Sequence, residues 1–353
     1  MSFSFMKEIL RKIRKVIQSA YSNSIFLLMG FSVKDHKSID RRKIINFINT
    51  NRLARQVMDE LSFDDYIKYL EAFWQSRAIA ILRHSKIVGM IVLKGGLENA
   101  FIINAFFLPE KLKTKEAAGY IFNNLLKLAK KRNYSELRFW VRTYPEGAQA
   151  RTSFANSEEA LNYFSGQGFR LGYEICNMVL EKSNFKSIDT DSLNRIFVNR
   201  GISMRDYNKD DRDKLLGLIN SEFPWWKNRM QLVLGQCDSA VPVTIIEHNK
   251  DIIAFSHHFK ASDKNFELLK PTWILKYAQS QRLSDIGYRM TLGVKKQWRG
   301  QDIGSMLVCK SIEELISSGA VRIFVSSVVP AFLEKFGFVP LARYVVLAKN
   351  ANT

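Results

Sequence analysis

Residues 293–307, "GVKKQWRGQDIGSML", carry the end of an apolar strand into a basic, glycine-punctuated loop and then into a helical pattern. A strand feeding a loop that opens a helix makes an anion site. The first helical turn presents unbonded N–H groups at the positive end of the helix dipole. Arg299-Gly300-Gln301-Asp302-Ile303-Gly304-Ser305 suits such a site, since Gly304 permits close approach and Lys295, Lys296 and Arg299 add positive charge. Asp302 stands in the middle, and a carboxylate turned toward a phosphate opposes it by like-charge repulsion. Two arrangements follow. The carboxylate faces solvent or pairs with Arg299 or Lys296, leaving the backbone N–H groups free, or it closes the loop to anions.

Outward from the loop, "VPVTIIEHNKDIIAFSHH" (241–258) reads as a hairpin of two apolar strands around a polar turn. "YRMTLGV" before the loop, the helix "IGSMLVCKSIEELISSG" after it and the strand "VRIFVSSV" form a strand-helix-strand crossover, which places a parallel pair at the centre of a mixed sheet. "SVVPAFLEKFGFVPLARYVVLAK" (327–349) then closes with a short helix, a Gly-Phe turn and a last strand. The first half repeats the plan in "RAIAILRHSKIVGMIVL" (77–93), "TKEAAGYIFNNLLKLAKKRN", "ELRFWV" and "SEEALNYFSGQGFRLGYEICNMVLEK" (157–182). Ser, Asp and Asn crowd at the join near residue 190, after which "GISMRD" and "DRDKLLGLINSEF" open the second half. The fold class is α/β with an α+β mixed sheet, in two domains at residues 1–188 and 200–353.

A chain of 353 residues, 46% hydrophobic and 25% charged, is long enough for two globular cores and is neither disordered nor fibrous in composition. Its net charge of +19 attracts polyanions, anionic lipids or acidic small molecules. Cys176, Cys237 and Cys309 lie far apart with no metal-ligand spacing, so the reading is three reduced, buried thiols in a cytoplasmic protein without a metal site. "MKEILRKIRKVIQSA" (6–20) is a basic amphipathic helix that either packs on its own domain or lies on an anionic membrane, peripheral at its inner face. The following "IFLLMGF" is too short to span a bilayer, and the recurring charges do not make a cleavable signal.

The order of hairpin, "YRMTLGV", "KKQWRGQDIG", helix, "IFVSSV" and "PAFLEKFGF" resembles the GNAT superfamily of N-acetyltransferases. The paired halves resemble its tandem-domain proteins of the bacterial type, with a degenerate N-terminal copy. That family's phosphate loop runs Arg/Gln-x-x-Gly-x-Gly/Ala. Arg299 and Gly304 match its ends, Ile303 its apolar position, and Asp302 replaces its first glycine. "FLEKFGF" is similar to the family's closing element, with Leu333 where many members carry a tyrosine that protonates the leaving thiolate. The resemblance implies two tandem GNAT-like acyl-CoA N-acyltransferase domains, the second moving an acetyl or acyl group from acetyl-CoA, or another acyl-CoA, to an amine. It implies that pantetheine lies along residues 290–294, through Leu292 and Val294. The pyrophosphate falls on the amides of Arg299, Gly300, Gln301, Asp302, Ile303, Gly304 and Ser305. A backbone N–H then polarises the thioester carbonyl, and a base or water chain takes the amine proton.

The residues leave that proton acceptor open. His257 and His258 are strand neighbours, so at most one faces the opening. His257, Tyr288 and Ser326 are the catalytic candidates, with Glu247, Asp285 and Ser327 beside them. "FPWWKN" (223–228) falls where the family covers its substrate, so Trp225 and Trp226 either wall the acceptor site or pack the sheet edge. The first half's loop, "LPEKLKTKEAAG", lacks the glycine series, and that half is expected to give structure or acceptor surface. The acceptor is expected to be a small-molecule or peptide amine, and the basic surface favours an acidic one. Paired domains of this fold also occur in aminoacyl-tRNA-dependent transferases, whose contact with tRNA or anionic lipid suits the charge. A third reading is a non-catalytic module binding nucleic acid, an anionic membrane or a protein partner.

Overall fold

The computed structural model describes residues 31–35, 39, 41–50, 77–84, 86–95, 100–144, 154–236, 242–263 and 282–351. The amphipathic helix expected at 6–20, most of the apolar run after it, and Cys237 lie outside the described residues.

In chain order the described elements begin with β1 (Phe31–Asp35), α1 (Arg41–Thr50), β2 (Arg77–Arg83), β3 (Lys86–Gly95) and β4 (Ala100–Phe107). They continue with α2 (Lys115–Lys131), β5 (Glu136–Tyr144), α3 (Ser157–Gly166), β6 (Arg170–Glu181) and α4 (Thr190–Asn199). Then come β7 (Ile202–Asp206), α5 (Arg212–Glu222), α6 (Lys227–Gln236), β8 (Val243–His248), β9 (Asp251–Lys260) and β10 (Ile286–Val294). The chain closes with α7 (Ile303–Ser317), β11 (Arg322–Val328), α8 (Pro330–Glu334) and β12 (Val339–Asn350). Local chemistry sets several boundaries. Thr114 caps α2, Asn156 caps α3 and Asp189 caps α4, each by a side-chain oxygen accepting a first-turn N–H. The β8–β9 turn places Asn249 and Lys250 at φ 51° and 66°, the paired left-handed conformation that a two-residue hairpin turn demands.

These elements form two compact units, residues 1–173 with 344–353 and residues 174–343. In the first the strand order is β1-β2-β3-β4-β5-β12, with β4 and β5 parallel. Its core is aromatic, built on Phe106, Phe122, Phe139, Phe154, Phe164 and Phe169. In the second the order is β6-β11-β10-β9-β8-β7, with β10 and β11 parallel. Helices α5 and α6 cover one face of that sheet, where Phe223 meets Phe255 at 5.8 Å. Helices α4 and α7 cover the other, packing Phe197, Ile303, Met306 and Leu307 over Ile246 and Ala254.

The mixed α/β class and the parallel central pairs are those the sequence predicts. The linear division at 188 and 200 does not contain what happens to the closing strands. From Glu174 onward β6 serves the second unit, pairing antiparallel with β11 from Glu181↔Arg322 to Cys176↔Val328. From Tyr344 onward β12 serves the first unit, where Leu347 and Ala351 enter the aromatic core and Ala351 N–H donates to the Ser135 carbonyl at 2.7 Å. Alternation in a strand sequence fixes which side chains are buried, but not which sheet receives them.

Candidate active site

The two central strands of the second unit run together only from Ile286↔Arg322 to Arg289↔Val325. Beyond that point β10 continues to Val294 with a bulge between Arg289 and Thr291, and β11 shifts register against β6 between Val325 and Val328. The strands therefore part into an opening. Lys295 N–H donates to the Ile253 carbonyl at 2.8 Å, which makes Val294↔Ala254 a pair without mutual hydrogen bonds. By alternation, Leu292 and Val294 turn their N–H and C=O groups away from β9, onto the edge that β11 has left. At the far end of this edge Arg299 Nε donates to the Val294 carbonyl at 3.0 Å.

The loop beyond the edge holds Gly300 and Asp302 in left-handed backbone, φ 74° and 58°. Glycine enters this region freely, and aspartate is among the few other residues that tolerate it. Asp302 is the N-cap of α7 but makes no capping bond. Its carboxylate is exposed and accepts the Ser305 hydroxyl at 3.1 Å, so the N–H groups of the first turn stay uncapped. Of the two arrangements open in the sequence this is the first, with Ser305 as partner in place of Arg299 or Lys296. Arg299 is engaged by Val294, and Gln301 accepts from Arg200. Ile303 is buried and anchors the helix start, while Gly304 faces Phe332, Val294 and Leu292 at 3.5, 3.7 and 3.8 Å from the place of an added Cβ. Lys335 Nζ donates to Ser305 Oγ at 2.8 Å and stands 5.1 and 5.0 Å from the rings of Phe332 and Phe336. Sequence reading missed this cation. Its only signal was a lysine inside "FLEKFGF", and its place depends on α8 folding back to α7.

On the α5–α6 face, Tyr288 Oη and Ser326 Oγ lie 2.8 Å apart across the parallel strands. Tyr288 meets Phe259 at 5.4 Å, and Phe259 meets His257 at 5.3 Å, which puts all three rings on one face. His257 is wholly buried with neither ring nitrogen bonded. Burial first, then the charges of His258 and Arg229, lower its pKa to about 3. It is neutral at physiological pH and too weak a base to hold a proton. Thr291 Oγ1, from its register partner, and Trp225 Nε1 are likewise buried without partners. His258 faces the opposite way, Nε2 to Glu314 at 2.8 Å, beside Ser256 bonded to Ser311 at 2.7 Å.

Gly293 explains where the tryptophans sit. A Cβ there would lie 2.4 Å from Phe255 and 2.9 Å from Phe223. Its absence lets Phe223 rest on β10, and Trp226 stacks on Phe223 at 5.2 Å while Trp225 meets it edge-on at 5.9 Å. Both indoles thus belong to the packing of this face beside the open edge. The remaining candidates are not gathered here. Glu247 is held by Arg205 at 2.7 and 2.9 Å, Asp285 bonds Ser284 at the start of β10, and the side chain of Ser327 lies outside the described residues. Leu333 is buried in the core beneath α7.

The first unit shows the same backbone device closed. Pairing of β4 with β5 ends at Ile103↔Phe139, and β4 bulges against β3 between Ile103 and Ala105. Past that point Phe106 packs on Phe154 and Phe164 at 5.7 and 5.4 Å, and Thr114 caps the Ala117 N–H of α2. Aromatic rings and a bonded helix start stand where the second unit has polar groups and a bare one. Among the described residues no His, Cys, Asp and Glu cluster forms a metal site, and no helix is long and apolar enough to cross a membrane. Cys176 and Cys309 are buried and unpaired, and burial pushes the Cys176 thiol up to about 11.

No protein-family model and no curated protein matches the sequence. Solved structures do. A fungal multi-domain GH3 β-N-acetylglucosaminidase with a GCN5-related glucosamine N-acetyltransferase region matches at 16% identity and TM-score 0.59, covering 90% of this chain and 38% of that one. The chain thus spans well under half of that enzyme. A tandem GNAT protein from the clavulanic acid biosynthesis pathway matches at 10% identity and TM-score 0.50, over 91% of this chain and 98% of its own. A GCN5-related N-acetyltransferase from Sphaerobacter thermophilus matches at 11% identity and TM-score 0.51, over 91% and 96%. These likenesses establish the fold: the chain has the architecture of tandem GNAT proteins.

Proposed function

We propose that the chain is an acyl-CoA-dependent N-acyltransferase whose chemistry runs in the second unit. The observation that carries this is the continuous path from the edge of β10 that β11 leaves at Leu292 and Val294, where Arg299 holds the Val294 carbonyl, to the uncapped start of α7 beside Lys335. An extended chain carrying amides and ending in a pyrophosphate is complementary to it in hydrogen bonding and charge. Pantetheine and diphosphate in acetyl-CoA, or another acyl-CoA, have that form.

When bound, the acyl-CoA supplies a thioester reactive toward amines. The amine nitrogen bonds the acyl carbon, the C–S bond breaks with its electron pair on sulfur, and one amine proton ends on the thiol. The chain's residues serve that exchange. The bulged backbone between Arg289 and Thr291 presents an N–H to the carbonyl oxygen. His257 and Thr291 offer neutral hydrogen-bonding atoms to the acceptor, beside the packed indoles of Trp225 and Trp226. His257 is not the base, since burial lowers its pKa to about 3 and leaves its conjugate acid too strong to hold the amine's proton. The bonded pair Tyr288 and Ser326 relays the proton, each hydroxyl giving one up as it accepts one, Leu333 having none to give.

Calorimetric titration with CoA tests the assignment. The wild-type chain binds, and Gly304→Glu, which thrusts a carboxylate at the bare helix start, loses binding while keeping its unfolding temperature. Equal affinity in the variant sinks the loop assignment. Salt-dependent retention of bulk tRNA with no CoA binding would transfer the reading to aminoacyl transfer.

A further inference from the structure

Arg289 is the last residue of β10 paired with β11, immediately before the bulge. It stands at the apex of the opening. It is 3% exposed, and among the described residues Nε and Nη2 have no hydrogen-bond partner. Burial pulls the guanidinium down only to about 10, so it is charged at neutral pH. Its register partner is His258, whose Nε2 is on Glu314, and the other oxygen of Glu314 is taken by Lys310 at 3.0 Å. That carboxylate is therefore already engaged by two other side chains, His258 and Lys310.

A buried guanidinium without a counter-ion is among the least favourable groups a core can hold, and an apolar side chain of similar volume would be more stable there. The two unbonded atoms identify what is missing. Nε–H and Nη2–H lie on the same edge of the guanidinium and point in parallel, the fork that receives both oxygens of one carboxylate. On the opposite face His257, Thr291 and Trp225 carry no charge, and Arg229, whose charge reaches His257, is a second cation.

We propose that Arg289 binds a free carboxylate carried by one of the two reactants, and so selects for it. This rests on the acyl-CoA reading, which puts the thioester end of the cofactor beside Arg289. The carboxylate then belongs to a dicarboxylic acyl group on CoA or to an amine acceptor that is itself an acid.

The full chain, Arg289→Met and Arg289→Lys are titrated calorimetrically with CoA, acetyl-CoA and succinyl-CoA. A second arm measures unfolding temperature with acetyl-CoA plus free amino acids or their carboxamides. If the acyl group carries the carboxylate, wild type binds succinyl-CoA at least about tenfold tighter than acetyl-CoA. If the acceptor carries it, amino acids raise the unfolding temperature and carboxamides do not. In either case Arg289→Met abolishes the preference, keeps CoA affinity and unfolds at a higher temperature. Arg289→Lys, which keeps the charge and loses the fork, folds as wild type and also loses the preference. CoA binding with no discrimination in either arm, or preferences that survive Arg289→Met, overturns this proposal and leaves the cofactor reading standing. Failure of the wild type to bind CoA overturns both.

Discussion

Asp302 occupies a left-handed backbone position that a glycine fills without strain, and it brings a carboxylate to the start of α7. Only the side chain's direction reconciles that charge with an anion site: it turns to Ser305 and leaves the helix amides bare. The residue is tolerated by the loop and unhelpful to an anion. Asp302→Gly should therefore tighten CoA binding by about threefold to tenfold, by removing a like charge and releasing the left-handed strain. Weaker binding in that variant would show that the Asp302–Ser305–Lys335 chain is itself part of the site. The loop's composition and order were legible in the sequence, since loop residues act locally. Lys335 was not, because it enters from a helix that follows β11.

At the scale of elements, the two halves use one plan with opposite outcomes. Each pairs two parallel strands for four residues, bulges the first and lets them part. In the second unit the gap leads to an uncapped helix, and in the first it meets packed phenylalanines and a helix capped by Thr114. Thr114→Ala should lower the stability of the first unit by about 1 kcal/mol, the usual loss for an N-cap, and leave CoA stoichiometry and affinity unchanged. Chemical denaturation and calorimetry on the same variant check this. A change in CoA binding would give the first unit a part in the site. The sequence showed the missing glycines of "LPEKLKTKEAAG". It did not show that Phe106, Phe154 and Phe164 meet there, because they come from three separate segments.

At the scale of the molecule, the exchange of closing strands makes neither half of the sequence self-sufficient. The first unit needs residues 344–353, and the second needs residues 174–181 against β11. A chain ending at Arg343 should lose the strand beside β5, exposing a sheet edge and part of the aromatic core, and aggregate or unfold first in its N-terminal unit. Supplying residues 339–353 as a separate peptide should restore protection of the β5 amides in hydrogen exchange. Full protection in the truncated chain without the peptide would contradict the exchange.

The sequence by itself determined the periodicities, and with them the hairpins, the crossover helices, the parallel strand pairs and the glycine-bearing loop. Each of these is encoded within a few consecutive residues. The tertiary structure decided which sheet each closing strand joins, which way Asp302 points, and that Lys335 and Ser305 meet. It also left Arg289 Nε and Nη2 and both ring nitrogens of His257 buried without hydrogen-bond partners among the described residues. Those outcomes depend on groups far apart in the chain competing for the same neighbours, and the order of residues along one strand carries no record of what lies beside it.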